Sequence, residues 1–210
     1  MAIEFTDKCS RCRRAGQKLF LKGEKCTGPK CPLLKRNYAP GVHGTTKKGG
    51  ARKASVYGKQ LFEKQKAKEM YGLRERQFAN YVAEAAKKTG DTSKFLITYL
   101  ESRLDNIVYR MGLGKSRKNA RQIVSHGHIT VNGRKVNIPS FRVKVGDEVA
   151  LSEKSKASLL FDKITDKLAK VEAPGWLNLD AKKVSAKVLN TPTFDQAGFN
   201  AKSIIEFYSR

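Results

Sequence analysis

Ser116-Arg-Lys-Asn-Ala-Arg-Gln-Ile-Val-Ser-His-Gly-His-Ile-Thr-Val-Asn-Gly-Arg-Lys-Val136 reads as a basic helix running into a hairpin. Ser116 is a suitable cap for a helix that turns Ala120, Ile123 and Val124 inward and Lys115, Arg117, Lys118 and Arg121 outward, with Gly127 as its stop. Next, Ile129-Thr130-Val131 and Arg134-Lys135-Val136 flank Asn132-Gly133, the dipeptide that best tolerates the positive φ angles of a two-residue hairpin turn. Val143, Val145 and Val149 alternate around Gly146-Asp147, which predicts a further turn and strand.

Working upstream, Thr92 or Ser93 opens a helix whose inward stripe is Leu96, Leu100, Leu104, Ile107, Val108 and Met111, expected to run unbroken into this unit. Before it, Ser55 caps a helix that ends at Gly72, and a second runs from Leu73 toward Gly90 with Phe78, Tyr81, Val82 and Ala85 on one side. Downstream, Leu159 to Val171 is expected to be helical, Pro174-Gly175-Trp176 breaks it, with Trp176 anchoring the returning tail, and Ile204 to Tyr208 forms an apolar terminus. The expected fold class is α+β, with a helix, basic helix and small sheet unit from roughly 98 to 152.

Charge separates the function classes. The 210 residues carry 43 Lys and Arg against 19 Asp and Glu, a net +24 that is best tolerated when a polyanion neutralises it. Residues 1–60 hold 15 basic and 3 acidic side chains and residues 61–144 hold 18 and 7, whereas 145–210 hold 10 and 9. Nucleic acid is therefore expected against the first two thirds, and packing or protein contact for the last. Met1 to Arg14 lacks the apolar centre of a signal peptide, and no apolar run is long enough to span a bilayer, so a cytoplasmic, non-membrane protein is expected.

In that reducing compartment Cys9, Cys12, Cys26 and Cys31 read as metal ligands, in preference to disulfides or free thiols. Two close pairs joined by a short loop suit a tetrahedral thiolate site; zinc leads, and an iron–sulfur cluster stays open. Four thiolates close the coordination shell, so the metal's role would be folding rather than catalysis. His43 could replace a cysteine but is not needed.

Candidate RNA contacts follow from the basic clusters. Lys47, Lys48, Arg52 and Lys53 lie in a Gly-rich connector after the turn-forming Pro40-Gly41-Val42-His43-Gly44. Tyr57 beside Lys59 is the best base-stacking pair, while Tyr38, Phe62, Tyr71, Phe78 and Tyr81 fit helix-core spacing better. Arg76 extends the basic surface. Around the quoted stretch, Arg103, Arg110, Lys115, Ser116, Arg117, Lys118, Arg121, Asn132, Arg134 and Lys135, with Arg142 and Lys144 alongside, form a patch spread over several elements. A single charged helix could be merely solvated, but a patch of this breadth points to RNA shape recognition. His126 and His128 suit capping or stacking better than metal binding, having no third ligand nearby.

No phosphate-binding loop, dinucleotide fingerprint, nucleophile elbow or metal-hydrolase helix is present, so no enzyme is expected. Arg103-Leu104-Asp105 resembles a tripeptide of pseudouridine synthases, yet it falls within a helical stripe, and too little chain follows for a catalytic domain; Asp105 is expected in an exposed ion pair. A modifying enzyme sharing the RNA module and a regulator of its own messenger are the competing classes.

Ordered motifs along the whole chain resemble the bacterial small-subunit ribosomal protein S-four family in its cysteine-containing form. They are the cysteines, Pro40–Gly44, Tyr71-Gly72-Leu73 with Glu75-Arg76-Gln77-Phe78, Leu100–Arg110, Ser125–Gly133 and Glu206–Arg210. The resemblance implies an N-terminal metal knuckle over 1–45, a mainly helical domain over 46–97 completed by 163–210, and over 98–162 a small RNA-binding module of two helices packed on a short antiparallel sheet. It also implies early binding to a multi-helix junction of small-subunit ribosomal RNA, nucleation of the subunit body and a contribution to translational accuracy. It further implies small-subunit proteins five, twelve and three as neighbours, and messenger RNA at the entry channel.

Overall fold

The structure is a computed structural model that describes residues 7–41, 44, 55–162, 164–169, 171–192 and 198–209. It divides into two compact units, 1–83 with 198–210, and 84–197. The first is helical. In it, α1 (Lys8–Ala15) is capped by Asp7, which accepts from the Cys9 N–H, and stops at Gly16 in the left-handed region. Two single turns follow, α2 (Glu24–Thr27) and α3 (Pro32–Lys35), the latter opened by a proline at its first position. The long α4 (Val56–Tyr71) begins at Ser55, whose hydroxyl accepts from the Gly58 N–H, and ends at Gly72 with φ 64°. Helix α5 (Glu75–Ala86) runs out of this unit, starting two residues after the expected Leu73 and ending before Gly90.

The C-terminal helix of this unit, Ala201–Tyr208, packs along α4. Gln60 donates to Glu206 at 2.9 Å, the Asn200 N–H donates to Glu63, and the Tyr208 hydroxyl donates to Glu75 at 2.7 Å. Only residues 198–209 return in this way; the earlier part of the segment expected to complete the helical domain, 163–197, belongs to the other unit.

The second unit holds a core cluster that runs from Leu104 to Val188. Helix α6 (Thr92–Glu101) is capped by Asp91, and α7 (Leu104–Arg110) follows after a break that the apolar stripe did not foretell. Arg103 is extended there (φ −66°, ψ 137°), because residues 139–143 run alongside: the N–H groups of Leu104 and Asp105 donate to the carbonyls of Phe141 and Pro139, and Val143 donates to Ser102. A non-local strand-like pairing thus replaces the bonds a continuous helix would have made. Helix α8 (Arg117–Ser125) is capped by Ser116 and buries Ala120, Ile123 and Val124, as the sequence pattern requires.

Strands β1 (Ile129–Val131) and β2 (Arg134–Lys135) form the expected hairpin, with Asn132 at φ 49° and Gly133 at φ 77°. Strand β3 (Glu148–Leu151) pairs antiparallel with β1. The tail contributes more than expected. After α9 (Glu153–Lys156), a 3₁₀ turn at Leu159–Phe161 and the short α10 (Ile164–Leu168), strands β4 (Leu177–Asp180) and β5 (Ser185–Val188) extend the sheet to the order β2-β1-β3-β5-β4. The helix expected over 159–171 is broken at Asp162 (φ −56°, ψ 138°), and among the described residues of that stretch Phe161, Ile164 and Leu168 join the core while Leu159 and Leu160 point to solvent. Trp176, expected to anchor the returning tail, is buried in the core. The last helix, α11, is the Ala201–Tyr208 segment already described.

Candidate nucleic-acid interface

Between residues 92 and 146 the chain carries eleven basic and two acidic side chains. Both acids are buried: Glu101 is 0% exposed and Asp105 is 5% exposed. An isolated carboxylate is expensive to bury, so each must be matched by cations and donors. Glu101 takes Arg110 in a two-point fork, Nε and Nη2 each donating at 3.1 Å, and the Asn106 amide donates to it at 2.8 Å. The other end of that amide accepts from Arg117 Nε at 2.9 Å, and the Arg117 guanidinium lies 4.6 Å over the Tyr109 ring. Asp105 binds Arg103 through both oxygens and lies 3.7 Å from Arg121.

With the acids inside, the solvent side of this stretch is cationic. Lys115, Lys118, Arg121, Arg134, Lys135 and Lys144 are exposed, and Arg110, Arg117 and Arg142 are half-buried. Arg142 forms a fork with Glu84 and stacks 4.3 Å over Tyr99. Hydrogen bonds and an ion pair from Arg142 hold the Glu84 carboxyl below its usual range despite some burial.

Several expected contact residues have partners within the chain. Arg103 is fully buried against Asp105 at the start of α7, and Asp105 sits in a buried ion pair where an exposed one was expected. Ser116 is buried and its hydroxyl accepts from the Asn119 N–H, which makes it a cap. Asn132 locks the hairpin to the next turn, donating to Asp147 and accepting from the Glu148 N–H. His128 turns Nδ1 to Ser155 Oγ at 2.8 Å and its ring edge to Phe161; burial, then the charges of His126 and Lys135, hold its pKa below the ordinary value. His126 is exposed at the helix C-cap.

In the helical unit, Tyr57 is half exposed but tilts against Phe207 at 5.5 Å, while Lys59 and Arg76 are exposed. Lys47, Lys48, Arg52, Lys53 and His43 lie outside the described residues. Sequence reasoning missed Glu101 and Asn106 as buried supports beneath this surface. The available signal was the pair of acids in so basic a stretch.

The four cysteines are thiols, with Cys12, Cys26 and Cys31 buried. Burial pushes the Cys12 thiol up, against the Leu19 N–H that bonds it, and Cys26, Cys9 and Cys31 lie near enough to push it further. Cys26 accepts from the Lys22 N–H at 3.3 Å. The donor chemistry suits a soft thiophilic ion, yet among the described residues no three His, Cys, Asp or Glu side chains converge into a metal-holding group.

A helical unit, together with a module of helices and an antiparallel sheet whose acids are inside and whose cations are outside, defines a polyanion-binding protein. The family model for the ribosomal protein S4/S9 N-terminal domain matches residues 5–101, and the S4 domain model matches residues 102–149. The chain is 49% identical over 204 residues to a small ribosomal subunit protein uS4 of Desulforamulus reducens, and 50% identical to that of Acetivibrio thermocellus, in both cases over 96% of each chain. It is 49% identical to a uS4A protein of Alkaliphilus metalliredigens over 98% of this chain and 99% of that one. This chain belongs to the ribosomal protein S4 family.

Proposed function

We infer that the chain is a structural constituent of the small ribosomal subunit and binds small-subunit ribosomal RNA, and that it is not an enzyme. The observation that carries this reading is likeness along nearly the whole chain to proteins that bear the small-subunit name. The cationic surface of residues 110–144 supports it physically. Phosphates neutralised by Lys and Arg release condensed counterions, and a cationic surface spread over α7, α8 and the hairpin can span more than one backbone segment.

The finer reading is a folding clamp for RNA. Lys115, Arg117, Lys118, Arg121, Arg134 and Lys135 grip phosphates from the module, while Lys47, Lys48, Arg52, Lys53, Tyr57, Lys59 and Arg76 serve the N-terminal side. Binding energy selects the native geometry of an RNA junction early in assembly, nucleates the subunit body, and places the chain beside proteins five, twelve and three and the incoming messenger. Its place is the cytoplasmic ribosome. Cys9, Cys12, Cys26 and Cys31 would hold zinc, which would supply cross-linking of the N-terminal turns and no chemistry on RNA. Omitting this chain from a reconstitution of small subunits out of purified RNA and proteins tests the assembly role. Particles stalled before the body forms are expected; normal particles formed at the normal rate would contradict it.

A further inference from the structure

We propose that Glu101 is a positioning residue for RNA binding, a buried negative charge that strengthens the grip on a polyanion by setting the orientation of Arg110 and, through Asn106, of Arg117. The inference rests on the RNA-binding reading above. Glu101 ends α6, Arg110 ends α7 and Arg117 begins α8, so one carboxylate ties three helix ends together.

The polarity of the chain of bonds is forced. A carboxylate can only accept, so Asn106 must turn its NH₂ toward Glu101, which leaves its oxygen as the acceptor for Arg117 Nε. Asn106 also donates to the Glu101 carbonyl at 3.1 Å, which fixes the amide from a second side. The Tyr109 face then holds the Arg117 guanidinium in one plane. Arginine is long and flexible, and one already held in its binding rotamer need not be ordered by the RNA.

A glutamine at 101 would keep the size and remove this logic. Its NH₂ would face either Arg110 Nη2 alone or the Arg110 Nε and Asn106 donors together, and an Asn106 amide that flips to escape would turn its own donor toward Arg117. Simple electrostatics predicts the reverse outcome, because deleting a negative charge near a phosphate-binding face should tighten binding. The two accounts therefore differ in sign.

The test compares full-length wild type and E101Q by fluorescence anisotropy on a fragment of small-subunit ribosomal RNA and on length-matched random RNA, with folding checked by circular dichroism. The expected result is weaker binding by E101Q, by roughly tenfold, on whichever RNA the wild type binds. In an R117A background the E101Q effect should shrink, because part of it passes through that arginine. Equal or tighter binding by folded E101Q would overturn the proposal. If E101Q fails to fold, N106A decides: it keeps the Glu101–Arg110 fork and removes the Asn106 bonds to Glu101 together with the link to Arg117, so an unchanged affinity would overturn it as well. Failure of the wild type to prefer the ribosomal fragment would fault the ribosomal reading instead, and the sign of the E101Q effect would still judge the positioning role.

Discussion

Residues 7–41 and residues 104–188 are both basic, but they hold their shapes by different means. Five side chains are buried in the first stretch, and three of them are cysteines, the others being Leu19 and Leu33. The second surrounds a core that runs from Leu104 to Val188 and includes Ile107, Val124, Ile129, Val149, Trp176 and Ala186. What joins the N-terminal turns is polar and exposed: Arg13 Nε donates to the Tyr38 carbonyl at 3.0 Å, and Lys22 meets Asp7 at 3.1 Å. Exposed pairs of this kind contribute at most about 1 kcal/mol each. Charge therefore indicates what a segment binds, whereas buried apolar area decides whether it folds unaided.

The largest effect should come from the core. Ile107→Ala removes a fully buried side chain of the core, and is expected to destabilise the second unit by about 2–5 kcal/mol in urea denaturation. A loss below about 1 kcal/mol would mean that this core is less decisive than its burial indicates.

Metal removal separates the two regions from the other direction. Under a strong chelator, protease should cut within residues 1–38 while the fragment containing the hairpin survives. Cleavage of both at the same rate, or of neither, would break the contrast.

A smaller effect is expected at the hairpin. Gly133 has φ 77° and open space around its missing Cβ, so Gly133→Ala meets backbone strain alone, about 1 kcal/mol, with the register retained. The melting temperature measures it, and an unchanged value would show that the turn relaxes.

The smallest concerns acid and the C-terminal helix. Burial raises the Glu75 carboxyl, but hydrogen bonds from Lys64, Tyr208 and Lys68 outweigh it and bring its pKa from 4.5 down to about 2. A carboxyl with a depressed folded pKa contributes its full stability above 4.5, and that contribution is lost as pH falls from there through about 2. Amide exchange in α11 should therefore quicken between those values in wild type and far less in E75Q; identical profiles would remove Glu75 from the docking of this helix.

How far the sequence could be read depended on how local each determinant was. The Ser116 cap, the helix after it and the Asn132-Gly133 turn use residues within a few positions of one another, and the structure has all three. The break at Arg103 was not legible, since it comes from residues 139–143, and the apolar stripe continues across it. Strands β4 and β5 were missed as well. Leu177–Asp180 and Ser185–Val188 are short, and their fit is decided by the pairing of β5 with β3 and of β4 with β5.

At the site, the cationic residues were visible as composition. Their arrangement was not, because Glu101 reaches Asn106, Arg110 and Arg117 at spacings that make sense only once two helix breaks fold α6, α7 and α8 together. The same non-local folding explains why Arg103, counted with the other arginines, proved to be buried.

The most direct test of the central claim is binding of the purified chain to a small-subunit ribosomal RNA junction, against length-matched random RNA, across a salt titration. The account predicts preference for the junction that persists at moderate salt, with affinity falling roughly a thousandfold or more between about 50 and 200 mM salt if six or more phosphates are neutralised. Equal binding to both RNAs, or an affinity that salt leaves flat, would contradict it.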